Sequence, residues 1–219
     1  MGRKKVKLIK FLEIEEIKKF QEPLIRRARQ AIENNYKTYN DKIAIRDFTL
    51  VNLVYACALR ISEACNLTLN YLDLENKQLY VIDGKGGDRI VPIPDMVIKN
   101  LNIWLSIRPN WKDNPYVFTN IKGSTRPGKV RPLTMKYYNQ LFNELSEETG
   151  IKLKNGKNVH PHTLRHSRAM EIYDNNVDLE VLQALLGHKE ISTTQVYARV
   201  RDERVKAAQN MVTAGLNSL

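Results

Sequence analysis

Six side chains in this sequence have the types that phosphoryl transfer without a metal ion would need. Five are cationic or can exchange a proton, and the sixth is a phenol: Arg60, Lys85, His162, Arg165, His188 and Tyr197. Each guanidinium is a planar fork that fits the non-bridging oxygens of a phosphate, and it supplies the positive charge that a metal ion would otherwise supply. The set therefore predicts metal-free phosphoryl transfer.

The spacing of these residues places them at the ends of predicted elements. His162 and Arg165 are three residues apart, so they share a face near the positive N-terminus of one predicted helix. Arg60 comes directly after an apolar helical segment, and Lys85 lies at the tip of a predicted hairpin. The remaining histidine and the tyrosine are nine residues apart, and the tyrosine lies on the next predicted helix.

A zinc site is the alternative interpretation of the histidines, because His162 and His166 are four residues apart on a predicted helix. The segment reads H-T-L-R-H, however, with Arg165 between the two rings, no nearby cysteine and no H-E-x-x-H glutamate. The sequence also lacks a P-loop, a G-x-G-x-x-G turn and an acidic cluster suited to magnesium. We therefore predict no metal and no cofactor.

The elements that must position these residues are mostly helical. The apolar residues of the segment from Lys42 to Leu59 run almost all round a helix, which predicts a central, buried one. Strands at Leu79–Ile82 and Arg89–Ile93 flank D-G-K-G-G-D and predict a hairpin, to which Tyr71–Leu74 can add a third strand.

The other predicted helices follow from apolar spacing and from end signals. Thr134 and Gly150 are the predicted caps of one helix, and Gly187 ends another. We expect the remaining helices near residues 12–20, 24–34 and 94–107, one whose first turn includes Pro161, and one that Ser192 caps and that holds Tyr197, with a separate amphipathic tail from residue 202. The fold class is therefore mainly α, or α+β, with a small antiparallel sheet of about three strands.

The charge balance indicates the partner. Thirty-five Lys and Arg against twenty-four Asp and Glu give a net charge of +11, which favours a polyanionic partner, and nucleic acid before membrane.

The longest mostly apolar run, Phe48–Leu59, is too short to span a bilayer, and the N-terminus has no signal-peptide core. Cys57 and Cys65 indicate reduced, buried thiols. We expect a soluble, cytoplasmic protein with no membrane partner.

Three segments together resemble a known family. They are A-L-R-I-S-E-A-C-N-L around Arg60, H-T-L-R-H around Arg165, and L-L-G-H-K-E-I-S-T-T-Q-V-Y, which ends at Tyr197. In order and spacing they resemble the three boxes of the tyrosine recombinases, the phage-integrase family, over about residues 10–215 of this chain. The resemblance implies the catalytic-domain fold of that family and duplex DNA as the substrate.

The resemblance also implies roles. Arg60 and Arg165 would clamp the scissile phosphate, and Tyr197 would attack it to leave a 3′-phosphotyrosyl DNA and a free 5′-hydroxyl. Lys85 would protonate the departing 5′ oxygen, although Arg89 is an alternative for this role. A free phenol titrates at about 10, so it needs nearby cations or a base to act at neutral pH.

Three further residues receive supporting roles from the resemblance. His162 would help to take the proton of the attacking tyrosine, and His188 would hydrogen-bond a phosphate oxygen. Glu63 matches an acidic position that supports the site, by orienting Arg60 or His162. Four basic residues of the loop after residue 120 either contact phosphates or form an ordinary solvated loop: Lys122, Arg126, Lys129 and Arg131.

The function that this resemblance implies is site-specific DNA recombination for a phage or another mobile element. The phosphotyrosine linkage conserves the bond energy, so no ATP is needed to rejoin the strands. Three alternatives stay open: type IB topoisomerase-like relaxation, a non-catalytic DNA-binding module of the same fold, and a minimal or fragment recombinase that needs a partner domain. His162 favours a recombinase over a type IB topoisomerase, which has a different basic residue there.

The resemblance also implies an organisation along the chain. We expect a basic arm or linker at residues 1–10, the catalytic domain at 11–200 and a C-terminal helix at 201–219, with no separate N-terminal core-binding domain. The helix carries Val205, Ala208, Val212 and Leu216 at helical spacing. It packs either in trans, within a homotetramer on DNA, or onto its own domain. A separate core-binding domain or accessory protein is a possible further partner.

Overall fold

The structure, a computed structural model, describes residues 10–82, 87–109, 114–121 and 131–216, with the side chains of the last helix described as far as Lys206. Within these ranges eight α-helices surround one small sheet. The helices are α1 (Ile14–Glu33), α2 (Tyr39–Ala56), α3 (Ile61–Cys65), α4 (Asp95–Ile107), α5 (Met135–Thr149), α6 (Pro161–Asp174), α7 (Leu179–Leu186) and α8 (Ile191–Leu216). The predicted fold class, mainly α with a small antiparallel sheet, is confirmed.

Helix α2 is the buried centre that the sequence predicts. Its residues Leu50, Leu53 and Val54 are fully buried, and the helix packs against α1, α4 and α6. Its first turn is fixed by Thr38, whose hydroxyl accepts a hydrogen bond of 3.1 Å from the backbone N–H of Asp41. Because α2 is packed against three other helices, its C-terminal end has a fixed position, and so do the residues that follow it. Arg60 follows α2 by four residues.

The sheet contains the predicted hairpin. Strands β1 (Leu72–Asp73), β2 (Gln78–Val81) and β3 (Arg89–Pro92) pair in the order β1-β2-β3, and both pairings are antiparallel. Leu79 lies opposite Val91, and both side chains are fully buried, which fixes the register. The predicted hairpin is confirmed, but Lys85 at its tip lies outside the described residues.

Two clusters of buried side chains hold the helices together. The larger one includes an aromatic contact between α1 and α5, where the ring centroids of Phe20 and Phe142 are 5.3 Å apart. The smaller one, here called the C-terminal cluster, joins the ends of α2, α6, α7 and α8. Its buried members are Ala58, Ala169, Met170, Leu182, Leu186, Tyr197 and Val200.

Two predicted helix boundaries are wrong. The two helices expected at residues 12–20 and 24–34 are one continuous helix, α1, with Pro23 inside it. Phe20 and Leu24 are buried on either side of this proline, so packing outweighs the loss of one backbone hydrogen bond. The separate tail expected from residue 202 is the continuation of α8, because no Gly or Pro interrupts residues 191–206.

The predicted caps are confirmed. The hydroxyl of Thr134 accepts a hydrogen bond from the N–H of Tyr137 at the start of α5, and Gly150 ends that helix with a φ of 70°. Gly187 ends α7 with a φ of 62°. No helix within the described residues is long and apolar enough to cross a membrane.

We expect Gly187→Ala to destabilise the protein more than Gly150→Ala does. Both glycines have a positive φ, so alanine costs each site about 1 kcal/mol. A Cβ at Gly187 would also lie 2.9 Å from Nη1 of the buried Arg89, whereas no atom lies within 4 Å of a Cβ at Gly150. Overpacking adds about 1–3 kcal/mol to the cost at Gly187.

The measurement is the free energy of unfolding by urea for the two variants and the unaltered chain. Equal losses in the two variants would show that Arg89 moves aside at no cost.

Candidate active site

The centre of the candidate site is the carboxylate of Glu63, which lies among three arginines. Arg60 donates from Nη1 to its Oε1 over 2.7 Å, and Arg89 forms a two-pronged pair with Oε1 and Oε2 at 3.1 and 2.8 Å. Nη1 of Arg165 lies 3.7 Å from Oε2. Burial alone would raise the pKa of Glu63, but the hydrogen bonds and charge of Arg89 outweigh it and hold the pKa below its ordinary value.

Local structure explains why Glu63 and Arg60 meet. Arg60 is the residue that begins α3, and Glu63 lies in the first turn of that helix, three residues later. The Glu63 carboxylate also accepts a 2.8 Å hydrogen bond from the backbone N–H of Arg60, as in a capping box. The Arg60 side chain is 27% exposed and borders a groove of about 560 Å³ between α3 and the sheet. Of the three arginines it is the one most open to a ligand.

Arg165 is almost completely enclosed. Its side chain is 2% exposed, and its guanidinium donates to the carbonyl oxygens of Ala58, at 2.9 Å, and of Leu186. Burial lowers the pKa of Arg165 to about 10, which keeps it charged at neutral pH. Through these contacts Arg165 joins α6 to the ends of α2 and α7. Segments more than a hundred residues apart in sequence thereby meet at one point.

Arg89 is not positioned to be the proton donor that the sequence offered as an alternative to Lys85. It is buried, and besides its pair with Glu63 its Nε donates to the carbonyl oxygen of Leu185 over 2.8 Å. An enclosed, ion-paired side chain is poorly placed to protonate a leaving group. The sequence contains a signal for the buried position of Arg89. On β3 it lies two residues before the buried Val91, so the two residues are on the same face of the strand. An arginine on a buried face requires an acidic partner.

Three histidine rings and the ring of Tyr197 form a row at the start of α6. The ring centroids of His160 and His162 are 6.2 Å apart, and those of His162 and His166 are 5.9 Å apart. His166 then contacts Tyr197, with Nδ1 3.0 Å from the phenol oxygen. Partial desolvation and the charge of Arg165 lower the pKa of His162. His166, which the sequence offered only as an alternative zinc ligand, is the residue in direct contact with the proposed nucleophile.

Tyr197 is fully buried within the C-terminal cluster. Burial raises the pKa of its phenol to about 12, and the charge of Arg165 opposes part of this rise. The phenol is therefore neutral at physiological pH in this arrangement. The positive charge of Arg165 is near enough to favour the phenolate form of Tyr197, as the role of a nucleophile would require.

His188 lies directly after Gly187, between α7 and α8. Its Nδ1 is 2.9 Å from the hydroxyl of Thr194, and the ring is half-buried. Burial and the positive charges of Arg165 and Arg60 lower the pKa of His188 to about 4, so the ring is neutral at pH 7. A neutral ring held beside cations can donate a hydrogen bond to an anion without adding to the repulsion among those cations.

The structure brings six of the predicted site residues into one region and leaves others undescribed. Arg60, Glu63 and Arg165 share one set of contacts, and His162 and Tyr197 lie on either side of His166 in the row of rings. His188 is near enough to Arg165 and Arg60 for their charges to lower its pKa. Lys85, Lys122, Arg126 and Lys129 lie outside the described residues, and Arg131 is exposed beside the bridge between Thr119 and Pro132. Among the residues that the structure describes, no three His, Cys, Asp or Glu side chains converge as a metal site requires.

Three guanidinium groups converge on the Glu63 carboxylate, and that of Arg60 also borders the open groove. Guanidinium groups that converge in this way can bind an anion with several oxygens. This is the electrostatic pattern expected of a phosphate site.

Comparisons with known proteins agree with this pattern. The chain is 37% identical over 168 residues to the tyrosine recombinase XerA of Pyrococcus furiosus, an alignment that covers 76% of this chain and 54% of that protein. It is 38% identical over 169 residues to a tyrosine recombinase of Thermosipho africanus, with 75% and 53% covered. The chain spans about half the length of these curated relatives.

A solved structure has the same fold. The XerH site-specific recombinase, bound to palindromic difH substrate in a post-cleavage complex, superimposes with a TM-score of 0.72 at 24% identity, over 94% of this chain and 54% of that one. The model of the phage integrase family matches residues 24–204. That range includes the arginine cluster, the histidine row and Tyr197, and the chain therefore belongs to the phage integrase family, the family of the tyrosine recombinases.

Proposed function

We propose that this chain is the catalytic part of a site-specific recombinase that cuts and rejoins duplex DNA through Tyr197. The observation that supports this most strongly is the junction at Glu63, where Arg60 and Arg165 meet beside the histidine row and Tyr197. The net charge of +11 and the DNA-bound XerH structure of the same fold support duplex DNA as the substrate.

In the proposed reaction, the scissile phosphate enters the groove beside Arg60 and receives hydrogen bonds from Arg60, Arg165 and His188. The oxygen of Tyr197 forms a bond to phosphorus as the bond to the 5′ oxygen breaks. The phenol proton passes to His162, and Lys85 donates a proton to the departing 5′ oxygen. The product is a 3′-phosphotyrosyl strand with a free 5′-hydroxyl, and attack by a 5′-hydroxyl reverses every step. No metal and no nucleotide cofactor is required.

The proposal extends to the cellular compartment, the source of the DNA, the oligomeric state and the domain organisation. We propose that the protein acts in the cytoplasm on the DNA of a phage or mobile element, as a homotetramer, with a core-binding domain or accessory protein supplying further DNA contacts. Residues 11–200 would be the catalytic domain, and 201–219 the helix that would leave its contacts in cis, such as that of Arg204 with Glu13, and pack in trans within the tetramer. Val205 is exposed and available for this contact, whereas the side chains of Ala208, Val212 and Leu216 lie outside the described residues.

The first prediction concerns the nucleophile. Tyr197→Phe is expected to abolish covalent attachment to DNA, because the phenol oxygen that would bond to phosphorus is gone. DNA affinity should change less than about twofold, since the buried ring makes no exposed phosphate contact. The measurement is recovery of protein-linked DNA after denaturation in SDS, with a pool of nicked duplexes of randomised sequence.

Tyr173→Phe is the matched control for this experiment, because Tyr173 lies outside the three boxes and should keep full attachment. Attached DNA in the Tyr197→Phe variant would remove Tyr197 from the mechanism. Relaxation of any supercoiled plasmid by the unaltered chain would favour topoisomerase-like activity over recombination.

A second prediction concerns metal ions. The arginines supply the charge that a divalent cation would supply, so EDTA should leave the rate of covalent attachment unchanged within about twofold. The assay is the same SDS capture, with and without chelator at constant ionic strength. A large loss that Mg²⁺ restores would contradict the proposed chemistry.

The third prediction concerns Glu63. Glu63→Gln should lower the free energy of unfolding at pH 7 by about 3 kcal/mol, because it removes the anion of the buried Arg89–Glu63 ion pair. The folded-state pKa of Glu63 lies below its ordinary value of 4.5, so its stabilisation is present above that value and is lost as the pH falls below it. The stability difference between the two proteins should therefore shrink below about pH 4.5.

Urea unfolding at pH values from 7 to 3.5 measures this difference, and Glu180→Gln is the control at an exposed site. A Glu63→Gln difference that stays constant across this range would show that the charge of Glu63 is not what the arginines require.

A further inference from the structure

The hydroxyl of Tyr197 has a defined partner inside the protein. His166 Nδ1 lies 3.0 Å from the phenol oxygen, and the two rings are tilted with centroids 6.1 Å apart. His166 is on α6 and Tyr197 is on α8, so this hydrogen bond joins the helix that carries Arg165 to the helix that carries the proposed nucleophile. His166 is not part of the proposed phosphate-binding set.

The side chains of His166 and Tyr197 are both neutral at physiological pH in this arrangement. Burial lowers the pKa of His166 to about 4, and burial raises the pKa of Tyr197 to about 12. Both shifts oppose transfer of the phenol proton to His166. His166 in this arrangement holds the phenol in its protonated form and does not activate it.

The position of Tyr197 also keeps it from a phosphodiester. The side chain has no exposed surface and packs in the C-terminal cluster beside Met170, Leu182 and Leu186. Arg60, by contrast, faces the open groove. A phosphate on Arg60 cannot touch the phenol oxygen unless Tyr197 leaves its buried position.

A second set of contacts holds the same helix against its own domain. Beyond Tyr197, Arg204 pairs with Glu13 at 2.6 Å and with Asp174 at 2.7 Å, and Arg201 donates to Oδ1 of Asn176 over 2.8 Å. These contacts are exposed, so each contributes little by itself. They show that α8 is docked in cis along the segment that follows Tyr197.

We propose that His166 is a positioning residue that holds Tyr197 in a buried resting position, and that the phenol reaches DNA only after this hydrogen bond breaks. The inference rests on the proposed function, in which Tyr197 is the nucleophile. Loss of the bond leaves a buried hydroxyl without its partner, which favours the released position. The hydrogen bond therefore sets how often the nucleophile is available.

The test compares His166→Phe, which keeps a ring but cannot form the hydrogen bond, with His166→Gln, whose amide can form it. The full chain, without DNA, is treated with N-acetylimidazole, which acetylates accessible tyrosine hydroxyls, and the modified peptides are quantified by mass spectrometry. Tyr138 is the internal control, because it is also fully buried and its hydroxyl is bonded to Asp47.

In His166→Phe we expect the initial rate of Tyr197 acetylation to rise about five- to tenfold, the factor that corresponds to one net hydrogen bond. Tyr138 should keep its rate, and His166→Gln should return Tyr197 close to the rate in the unaltered chain. Unchanged acetylation of Tyr197 in His166→Phe would overturn the proposal. An equal rise at Tyr138 would also overturn it, because that result indicates general loosening of the fold.

A DNA assay separates this inference from the proposed function. With the nicked duplex pool, His166→Phe should form the SDS-resistant product about five- to tenfold faster at first than the unaltered chain. A slower reaction would show that His166 is needed after release, and would overturn its role as a restraint. If the unaltered chain gives no attached DNA, the proposed function fails, and the acetylation ratio still decides whether His166 holds Tyr197.

Discussion

Three guanidinium groups can be gathered out of water only if an anion lies among them, and in this chain that anion is Glu63. Its two carboxylate oxygens are shared by Arg60, Arg89 and Arg165, which come from α3, β3 and α6. Desolvation penalises all four charges, and their mutual contacts offset that penalty. The guanidinium of Arg60 also borders the open groove, where it is accessible to a ligand. The same interaction therefore supports the fold and prepares the site.

The elements around Glu63 position the arginines that contact it. The buried helix α2 leads the chain to Arg60, and the hairpin delivers Arg89 from the opposite side. Arg165 reaches the carbonyl groups at the ends of α2 and α7, and Gly187 leaves just enough space for the Arg89 side chain. A small sheet is sufficient to position Arg89, the one member of this cluster that a strand carries.

The proposed nucleophile lies away from the open groove. Tyr197 packs in an apolar cluster with its hydroxyl bonded to His166, while Arg60 borders the groove. The charge of Arg165 favours the phenolate, but burial favours the neutral phenol more strongly. In the proposed function, this separation would keep the phenol from the phosphate until Tyr197 leaves its buried position, and the packing of α8 produces it.

The sequence by itself determined which residue types are available and which local elements carry them. The hairpin and the glycine that ends α7 follow from hydrophobic period and turn chemistry, which act over a few residues, and the three boxes are legible as segments that resemble those of a known family. Only the tertiary structure decided that Pro23 stays within one helix, that Arg89 is enclosed by Glu63, and that His166 touches Tyr197. These outcomes depend on contacts between segments that are distant in the chain, and burial at such contacts reverses local preferences and shifts ionisation. Apart from the alternation that places Arg89 on the same face as the buried Val91, no pattern along the sequence carries that information.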